Sequence, residues 1–293
     1  MLRIGGMFLP LGYIFVAFAV FWFWMTDSRA RHASRDFLTR IFQSQNKKQK
    51  VHWWHTIWHM NVYGLMLLDR SVSLADSRGK FRISPATGDG WLERLVPGRG
   101  VLMLTAHFGA AELSAPMLKR MGAGRKAHFV VYRDMRDATE QFHRDQWTSL
   151  ADIQWINSTE PISAGLAVMA ALKKGDVVAM RADRAVRGRC LDAMFFGQRV
   201  QLPAGPFTAA VLSGAMVVNA FTVRAGYRQY IMHISTPKCY ALNPDLSRDE
   251  LIGRAVADYL ADLEAIVERY PYQWGNFYDF WKSDAQKAVP EVS

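Results

Sequence analysis

Hydrophobic residues follow one pattern in the first quarter of the chain and another in the remainder. Residues 7–25 form a stretch of nineteen residues without a charge, which is just long enough to cross the hydrocarbon core of a bilayer. Helical spacing of apolar positions predicts helices over 35–41 and 51–68, joined by the polar run 43–50. From Phe81 onward, short apolar runs alternate with amphipathic stretches, which is the pattern of successive βαβ units.

The alternating region predicts a largely parallel sheet flanked by helices. Buried strands are predicted at 101–104, 127–132, 153–156 and 177–180, and helices at 110–121, 137–150 and 162–174. Residues 216–224 and 229–236, joined by 225–227, predict a hairpin that closes the sheet, and a long helix is expected over 248–269. The predicted fold class is therefore α/β, with a mixed, largely parallel sheet.

The uncharged N-terminal stretch predicts a membrane anchor. Its aromatic end, Phe21 to Trp24, is typical of a membrane interface and unlike the small-residue cleavage site of a signal peptide. A helix that spans the bilayer and one that lies in its plane both fit the pattern, and a buried core helix is the third alternative. If the helix spans, the positive residues from Arg29 to Arg40 place the rest of the chain in the cytoplasm.

Charge and composition support contact with lipid. The net charge is +10, and residues 1–60 carry eight Lys or Arg against two Asp. A basic cluster beside an apolar segment favours anionic lipid, whereas no zinc-finger or RNP pattern indicates nucleic acid. Cys190 and Cys239 form no CxxC motif, so a reducing compartment fits.

Three histidines, His52, His55 and His59, recur at helical spacing between tryptophans. Imidazoles at this spacing could bind a metal, but no Cys, Asp or Glu accompanies them. We therefore predict that this helix packs beside a membrane surface and that the chain has no metal site.

The segment after the predicted strand 101–104 is the best candidate for chemistry, and its sequence is Thr105-Ala106-His107-Phe108-Gly109-Ala110-Ala111-Glu112. Reactive groups gather at the carboxyl ends of strands in open α/β sheets. A carboxylate on the first helical turn, Glu112, would fix the tautomer of His107 and stabilise its protonated form. Gly109 would let a substrate approach the helix start, whose N–H groups could hold an oxyanion.

The spacing of His107 and Glu112 is weak evidence by itself. About 0.7 pairs of this kind are expected by chance in a chain with eight His and this acidic content. The position after a strand, with Gly109 before a helix, is what supports the interpretation.

These features resemble the bacterial lysophospholipid and lipid A biosynthesis (late) acyltransferase family over most of the chain. In that family a His-x4-Asp/Glu pair is the catalytic dyad, and His107 and Glu112 occupy it here. A second family motif is similar to 177–184, with Asp183-Arg184 in place of the usual acidic-Gln pair. A third, a Pro-Gly-Pro-like turn that opens a helix and is followed by a strand, resembles 202–207 and 215–223.

The aromatic tail 270–278 is similar to the branch of this family found in clusters that make aryl polyenes and related lipids. We expect the tail to cap the core, since large aromatic side chains usually provide packing area, and covering an acyl channel is the alternative.

The resemblance implies a glycerol-phosphate acyltransferase-like fold and acyl transfer from acyl carrier protein or acyl-CoA to a hydroxyl of a lipid or glycolipid. His107 would be the general base and Glu112 its support, with no cofactor. The implied substrate-binding residues are Gly109, Arg181, Asp183, Arg184, Gly205 and Pro206. Arg187 and Arg189 extend the basic loop, which could bind the acidic carrier, a phosphate of either substrate, or only solvent.

Three regions follow from these patterns. Residues 1–26 would be a membrane anchor, 27–80 a basic helical region beside the membrane, and 81–293 the catalytic domain, on the cytoplasmic side of the bacterial inner membrane. A membrane-associated esterase or thioesterase with the same pair, and a non-catalytic membrane adaptor, are the alternatives. The sequence contains no Gly-x-Ser-x-Gly elbow, His-Glu-x-x-His or Walker A motif, which argues against the common hydrolases.

Overall fold

The structure is a computed structural model that describes residues 9–45, 50–75, 81–86, 94–114, 125–131, 153–184, 188–242 and 244–281. Within these ranges the chain is α/β, with a mixed, mostly parallel sheet flanked by helices and one apolar helix at the N-terminus. The strands are β1 (Arg82–Pro85), β2 (Val101–Thr105), β3 (Ala127–Val131), β4 (Ile153–Asn157), β5 (Val177–Arg181), β6 (Cys190–Phe195), β7 (Gln198–Pro203), β8 (Met216–Gly226), β9 (Gln229–Ile234) and β10 (Lys238–Cys239).

The strand order in the main sheet is β1-β9-β8-β2-β5-β3-β4, and β10 pairs with the start of β8. Strands β2, β3, β4, β5 and β8 are parallel to their neighbours in this set, while β9 returns antiparallel to β8. Strands β6 and β7 form a separate hairpin. The carboxyl ends of β2, β5 and β8 therefore meet at one edge of the sheet, where a crevice for a ligand is expected.

Three helices cover one face of the sheet: α4 (Pro161–Lys173), α5 (Ala204–Ser213) and α6 (Arg248–Arg269). Helix α6 begins at a capping box formed by Ser247 and Glu250, which satisfies two otherwise free N–H groups. Its buried stripe includes Tyr259, whose hydroxyl donates to the carbonyl oxygen of Thr105 at 2.9 Å. This bond ties α6 to the end of β2, two residues before His107.

The N-terminal region consists of α1 (Leu9–Thr26), α2 (Ser28–Ser44) and α3 (Trp53–Ala75). Helix α1 is long and apolar enough to cross a membrane, although the core helix of a soluble protein or a signal sequence has the same length and composition. Asp27 ends the run of apolar residues and caps α2, because its carboxylate accepts from Ala30 N at 2.8 Å. Trp22, Phe15 and Phe18 of α1 are each more than two-thirds exposed.

Most of the elements expected from the sequence are confirmed. The four predicted parallel strands, the closing hairpin and the helix Arg248–Arg269 are present; α2 extends beyond both predicted bounds, and α3 begins two residues later and ends seven residues later than predicted. The expected helix over 110–121 is described only as a 3-10 turn at Ala111–Ser114, and its remainder lies outside the described residues, as does the one expected over 137–150. Strand β1 and the β6–β7 hairpin were not predicted.

Candidate active site

Two neighbouring parallel strands bring His107 and Asp183 together. Strands β2 and β5 pair in register from Val101 with Val177 to Thr105 with Arg181. His107 follows β2 by two residues, and Asp183 follows β5 by two residues. Equal distances beyond paired strand ends place the two side chains opposite each other at the carboxyl edge of the sheet.

The Asp183 carboxylate holds His107 through both its ring and its backbone. Oδ1 lies 2.9 Å from Nδ1 of the imidazole, and Oδ2 accepts from the His107 backbone N–H at 2.9 Å. The indole N–H of Trp274 donates to the same Oδ2 at 3.1 Å. The carboxylate is buried, whereas the His107 side chain is 28 % exposed. Nδ1 therefore points inward, and Nε2 is left for a substrate.

The pKa values suit a base held by an ionised carboxylate. Burial lowers the pKa of His107 below its ordinary value of 6.5; Asp183 opposes this effect, and the positive charges of Arg181 and Arg184 add to it. Burial alone would raise the pKa of Asp183, but the hydrogen bonds and charge of His107, with the charge of Arg184, hold it well below the usual range. At neutral pH the pair is thus a neutral imidazole and a carboxylate, with the lone pair on Nε2.

The segment after α6 clamps the loop that carries His107. Gly275 N donates to the His107 carbonyl oxygen at 2.8 Å, and Gly109 N donates to the Gln273 carbonyl oxygen at 2.7 Å. The Gln273 side chain in turn bonds both the N–H and the C=O of Arg224 in β8. The loop is therefore fixed between β8 and this tail.

Trp274 serves the core and the site together. It is buried, with its ring within 5.4 Å of the ring centroids of Phe37, Phe195 and Phe280. This packing confirms that the aromatic tail caps the core. Its indole bond to Asp183 was not foreseen, because nothing local in the tail indicates which buried carboxylate an indole N–H will reach.

Gly109 has a structural reason to be glycine. Its φ is +62°, and a Cβ built at this position would lie 1.8 Å from the carbonyl oxygen of Thr222. The N–H of Gly109 is bonded to Gln273 and that of Ala110 to Thr222. Backbone carbonyls of the tail and of β8 occupy these two N–H groups, so neither Gly109 nor Ala110 supplies one to an oxyanion.

Of the predicted basic loop, Arg181 and Arg184 lie close enough to His107 for their charges to lower its pKa. Arg184 donates to the carbonyl oxygen of Gly275 at 2.8 Å and stacks over Tyr278 at 4.4 Å. Arg189 is exposed, and Arg187 lies outside the described residues. Asp183, expected to contact substrate or a guanidinium, is instead fully buried behind His107.

The structure gives less information on the other predicted site residues, which are Glu112, Gly205 and Pro206. The backbone of Glu112 belongs to the 3-10 turn after His107, but its side chain is outside the described set, so its pairing with His107 stays a prediction. Because α5 leads into the amino end of β8, its N-terminus, with Gly205 exposed and Pro206 buried, lies towards the carboxyl edge of the sheet.

His52, which precedes α3, and His55 and His59 within it have separate surroundings. His59 is buried, with Nδ1 2.8 Å from Ser34 Oγ and Nε2 2.7 Å from the carbonyl oxygen of Trp274. Nδ1 of His55 accepts from the backbone N–H of His52. Across the described ranges, no group of three His, Cys, Asp or Glu side chains is arranged to hold a metal ion.

Comparison with known proteins adds no family to this geometry: no protein-family model matches the chain, and no curated protein matches it significantly.

Proposed function

We propose that this protein is a membrane-associated acyltransferase, which moves a fatty acyl group from acyl carrier protein or acyl-CoA to a hydroxyl of a lipid or glycolipid. The observation that carries the proposal is the pair formed by His107 and Asp183. A neutral imidazole, oriented through Nδ1 by a buried carboxylate, presents Nε2 at the carboxyl edge of an α/β sheet. The same arrangement serves general-base catalysis in other enzymes.

In the proposed reaction His107 first accepts a proton and later donates it. Nε2 takes the proton of the acceptor hydroxyl as its oxygen attacks the thioester carbonyl carbon. When the tetrahedral intermediate collapses, the C–S bond breaks and the departing sulfur receives the proton from Nε2. The products are an ester and a free thiol. Asp183 stays ionised throughout and stabilises the transient imidazolium, since its own pKa is held low.

Direct transfer is favoured over a covalent acyl-enzyme. Among the described residues, no serine, threonine or cysteine hydrogen-bonds Nε2 of His107, as a nucleophile activated by this base would. An esterase or thioesterase of the same design would use water as the acceptor. Measuring ester product and free fatty acid together distinguishes the two reactions.

The arginines beside His107 support a phosphate-bearing substrate. Arg184 is fixed by Gly275 and Tyr278, and its Nε has no hydrogen-bond partner in the described part of the chain. Acyl carrier protein and coenzyme A both carry phosphate, and lipid acceptors often do. Cys190 and Cys239 are not joined in a disulfide, which fits the reducing cytoplasmic side of an inner membrane.

The test is acyl transfer by purified protein, with acyl carrier protein and acyl-CoA donors assayed in parallel and the lipid products identified by mass spectrometry. We expect His107→Ala to lower the rate of ester formation by about 10²–10⁴-fold, the usual contribution of a general base. Thermal unfolding is measured alongside, because the substitution also removes one hydrogen bond from the buried carboxylate of Asp183.

His128→Ala is the matched control, since His128 also bonds an aspartate, Asp176, at 2.9 Å but lies at the amino-terminal end of β3. Its rate should remain near wild type. Ester formation by His107→Ala at the wild-type rate would refute the proposal, and release of free acid alone from wild type would identify a hydrolase.

A further inference from the structure

Helices α1 and α3 pack against each other in opposite directions. Gly12 lies beside Leu68, Gly64 lies beside Val16 and Val20, and Trp24 Nε1 donates to Thr56 Oγ1 at 2.9 Å. The partner number on α3 falls as the number on α1 rises, which defines an antiparallel pair. Glycines at two of these contacts let the helices approach closely, because a Cβ at Gly64 would lie 2.9 Å from Val16.

Both ends of α1 are attached to the folded domain. Near its start, the Tyr13 hydroxyl donates to Asp69 of α3 at 2.5 Å, and Arg224 of β8 donates to the Tyr13 oxygen at 3.2 Å. The Tyr13 ring also packs edge-on against Tyr227 in the β8–β9 turn. Near its end, Trp24 is bonded to α3 and Asp27 caps α2. The two attachments are about 16 Å apart along the helix, at 1.5 Å per residue.

This attachment conflicts with a helix that crosses the bilayer. Eighteen residues of helix measure about 27 Å, nearly the whole hydrocarbon core of about 30 Å. A crossing α1 would carry the β8–β9 turn, with Arg224 and Arg228, into the hydrocarbon. The adjoining outer strand β1 has only β9 as a partner among the described strands. An open sheet edge facing lipid leaves backbone N–H and C=O groups unsatisfied, which membranes do not tolerate.

The outward face of α1 is an apolar stripe suited to lying on a membrane. The stripe consists of Leu11, Ile14, Phe15, Phe18, Phe21, Trp22 and Met25, each at least half exposed. These positions recur at intervals of three and four and so occupy one face of the helix. Trp53, Trp54 and Trp58 of α3 are also about half exposed or more, and tryptophan favours the interface between hydrocarbon and water.

Positive charge lies next to this stripe. Helix α2 starts two residues after α1 and carries Arg29, Arg31 and Arg35 in its first two turns. Arg29 and Arg35 are exposed, and Arg31 stacks over Trp24. An apolar stripe bordered by arginines matches the acyl chains and anionic headgroups of a bilayer surface.

Helix α3 also contacts the tail segment that holds the loop of His107. Nε2 of His59 hydrogen-bonds the Trp274 carbonyl oxygen. A Cβ built on Gly275 would lie 2.6 Å from the Tyr63 ring, so this ring packs directly against the Gly275 backbone. Gly275 in turn donates to the His107 carbonyl oxygen. The segment Trp274-Gly275 thus contacts α3 on one side and the backbone of His107 on the other.

We propose that α1 and α3 lie in the plane of an anionic bilayer, with the stripe of α1 immersed at one shallow depth, and that they hold the carboxyl edge of the sheet at the headgroups. This inference does not depend on acyl transfer, since it concerns how the chain meets lipid.

Depth measurement separates an in-plane helix from a crossing one. Spin labels are attached to Leu11→Cys, Phe15→Cys, Phe18→Cys and Trp22→Cys, one at a time, in full-length protein with Cys190→Ser and Cys239→Ser. The protein is added to phosphatidylethanolamine vesicles that contain phosphatidylglycerol. We expect the four labels to report the same depth within a few ångströms, and a Leu242→Cys label, on the opposite edge of the sheet, to remain in water.

A depth that changes by about 16 Å between positions 11 and 22 would overturn the in-plane arrangement in favour of a crossing helix. Labels that stay in water at all four positions would overturn membrane contact altogether. Neither result depends on enzyme activity, so the acyl-transfer proposal is tested separately.

Vesicle binding tests the lipid-facing surface. We expect the double variant Phe15→Glu/Phe18→Glu to lose binding by on the order of 10²-fold, whereas Leu212→Glu/Leu242→Glu, exposed apolar residues far from the stripe, should bind like wild type. Arg35→Gln should weaken binding to anionic vesicles about fivefold and Arg199→Gln, in the β6–β7 hairpin, should not. Equal losses in stripe and control variants would refute the assignment of this face.

Discussion

The Asp183 carboxylate bonds Nδ1 of His107. In a pair of this kind the carboxylate holds one ring nitrogen, and the other nitrogen is the one that can act as a base. Glu112 was predicted for this role from its spacing, but Nδ1 already lies 2.9 Å from Asp183. A carboxylate at Nδ1 fixes the tautomer and stabilises the imidazolium. If Glu112 takes part in the reaction, it therefore does so from another direction, at Nε2 or at the substrate.

The pH dependence of acyl transfer is a direct test of this assignment. Burial keeps the pKa of His107 below 6.5, and Asp183 is the group that acts to raise it. The active form is the neutral imidazole, so kcat/KM should fall as pH is lowered, and the midpoint of this acid limb should lie below pH 6.5. In Asp183→Asn we expect the plateau to drop by about 10³–10⁴-fold and the acid limb to move to still lower pH, because the group that raises the pKa is gone.

Glu112→Gln is the companion variant, since it leaves the bond between His107 and Asp183 in place. Its acid limb should move less than that of Asp183→Asn, because Asp183 is the carboxylate at Nδ1. The assignment fails if the limb moves in Glu112→Gln and stays in Asp183→Asn, which would make Glu112 the orienting carboxylate.

At the scale of elements, the sequence predicted those parts whose signal is local. Strands β2 and β5 are short runs of buried apolar residues, and each leads into a polar group, His107 or Asp183. That pattern was sufficient to place His107 at the carboxyl edge of a parallel sheet, whereas Asp183 was identified only through the family resemblance. Strand β1 was missed because Ile83 is its single apolar residue besides a terminal proline.

Other features could not be read locally. The β6–β7 hairpin turns at Phe196 and Gly197, both at positive φ, and phenylalanine is a rare residue in that conformation. The bond of Trp274 to Asp183 joins residues 91 positions apart. Which tail residue reaches the site depends on where α6 ends and how Trp274 packs, and a single sequence does not encode either by spacing.

The contact between α3 and the tail makes stability depend on pH. His59 is enclosed between Ser34 and Trp274, and its burial lowers its pKa from 6.5 to about 4 despite the hydrogen bond to Trp274. The folded state therefore binds fewer protons than the unfolded chain between these values. Stability from His59 is fully present above pH 6.5 and is lost as pH falls towards 4, by about 3 kcal/mol in total.

We expect His59→Gln to lack this part of the pH dependence. Chemical unfolding of both proteins from pH 7 to pH 4 should show the wild type losing about 3 kcal/mol more than the variant. His32→Gln, an exposed substitution in α2, should retain the wild-type slope. An unchanged slope in His59→Gln would mean that His59 is not enclosed as described.

At the scale of the whole molecule, one buried carboxylate joins the N-terminal helix to the sheet that carries His107. Asp69 accepts from Tyr13 of α1 at 2.5 Å, from Arg224 of β8 at 3.0 Å and from Tyr230 of β9 at 2.7 Å. Arg224 is also the residue whose backbone is held by Gln273, next to the loop of His107. Helix α1 is therefore hydrogen-bonded to the same unit that carries His107.

Tyr13→Phe isolates this connection, because it removes one hydroxyl and preserves the ring. Loss of a hydrogen bond to a buried carboxylate should lower the free energy of unfolding by about 2 kcal/mol. Urea unfolding in mild detergent, followed by tryptophan fluorescence, measures the change, and Leu11→Ala on the exposed face should alter it by less than about 0.5 kcal/mol. If Tyr13→Phe unfolds like wild type, α1 is not part of the cooperative unit. The polar network at Asp69 would then be closed by Arg224 and Tyr230 alone, and the inference that α1 cannot leave the domain to cross a bilayer would lose its main support.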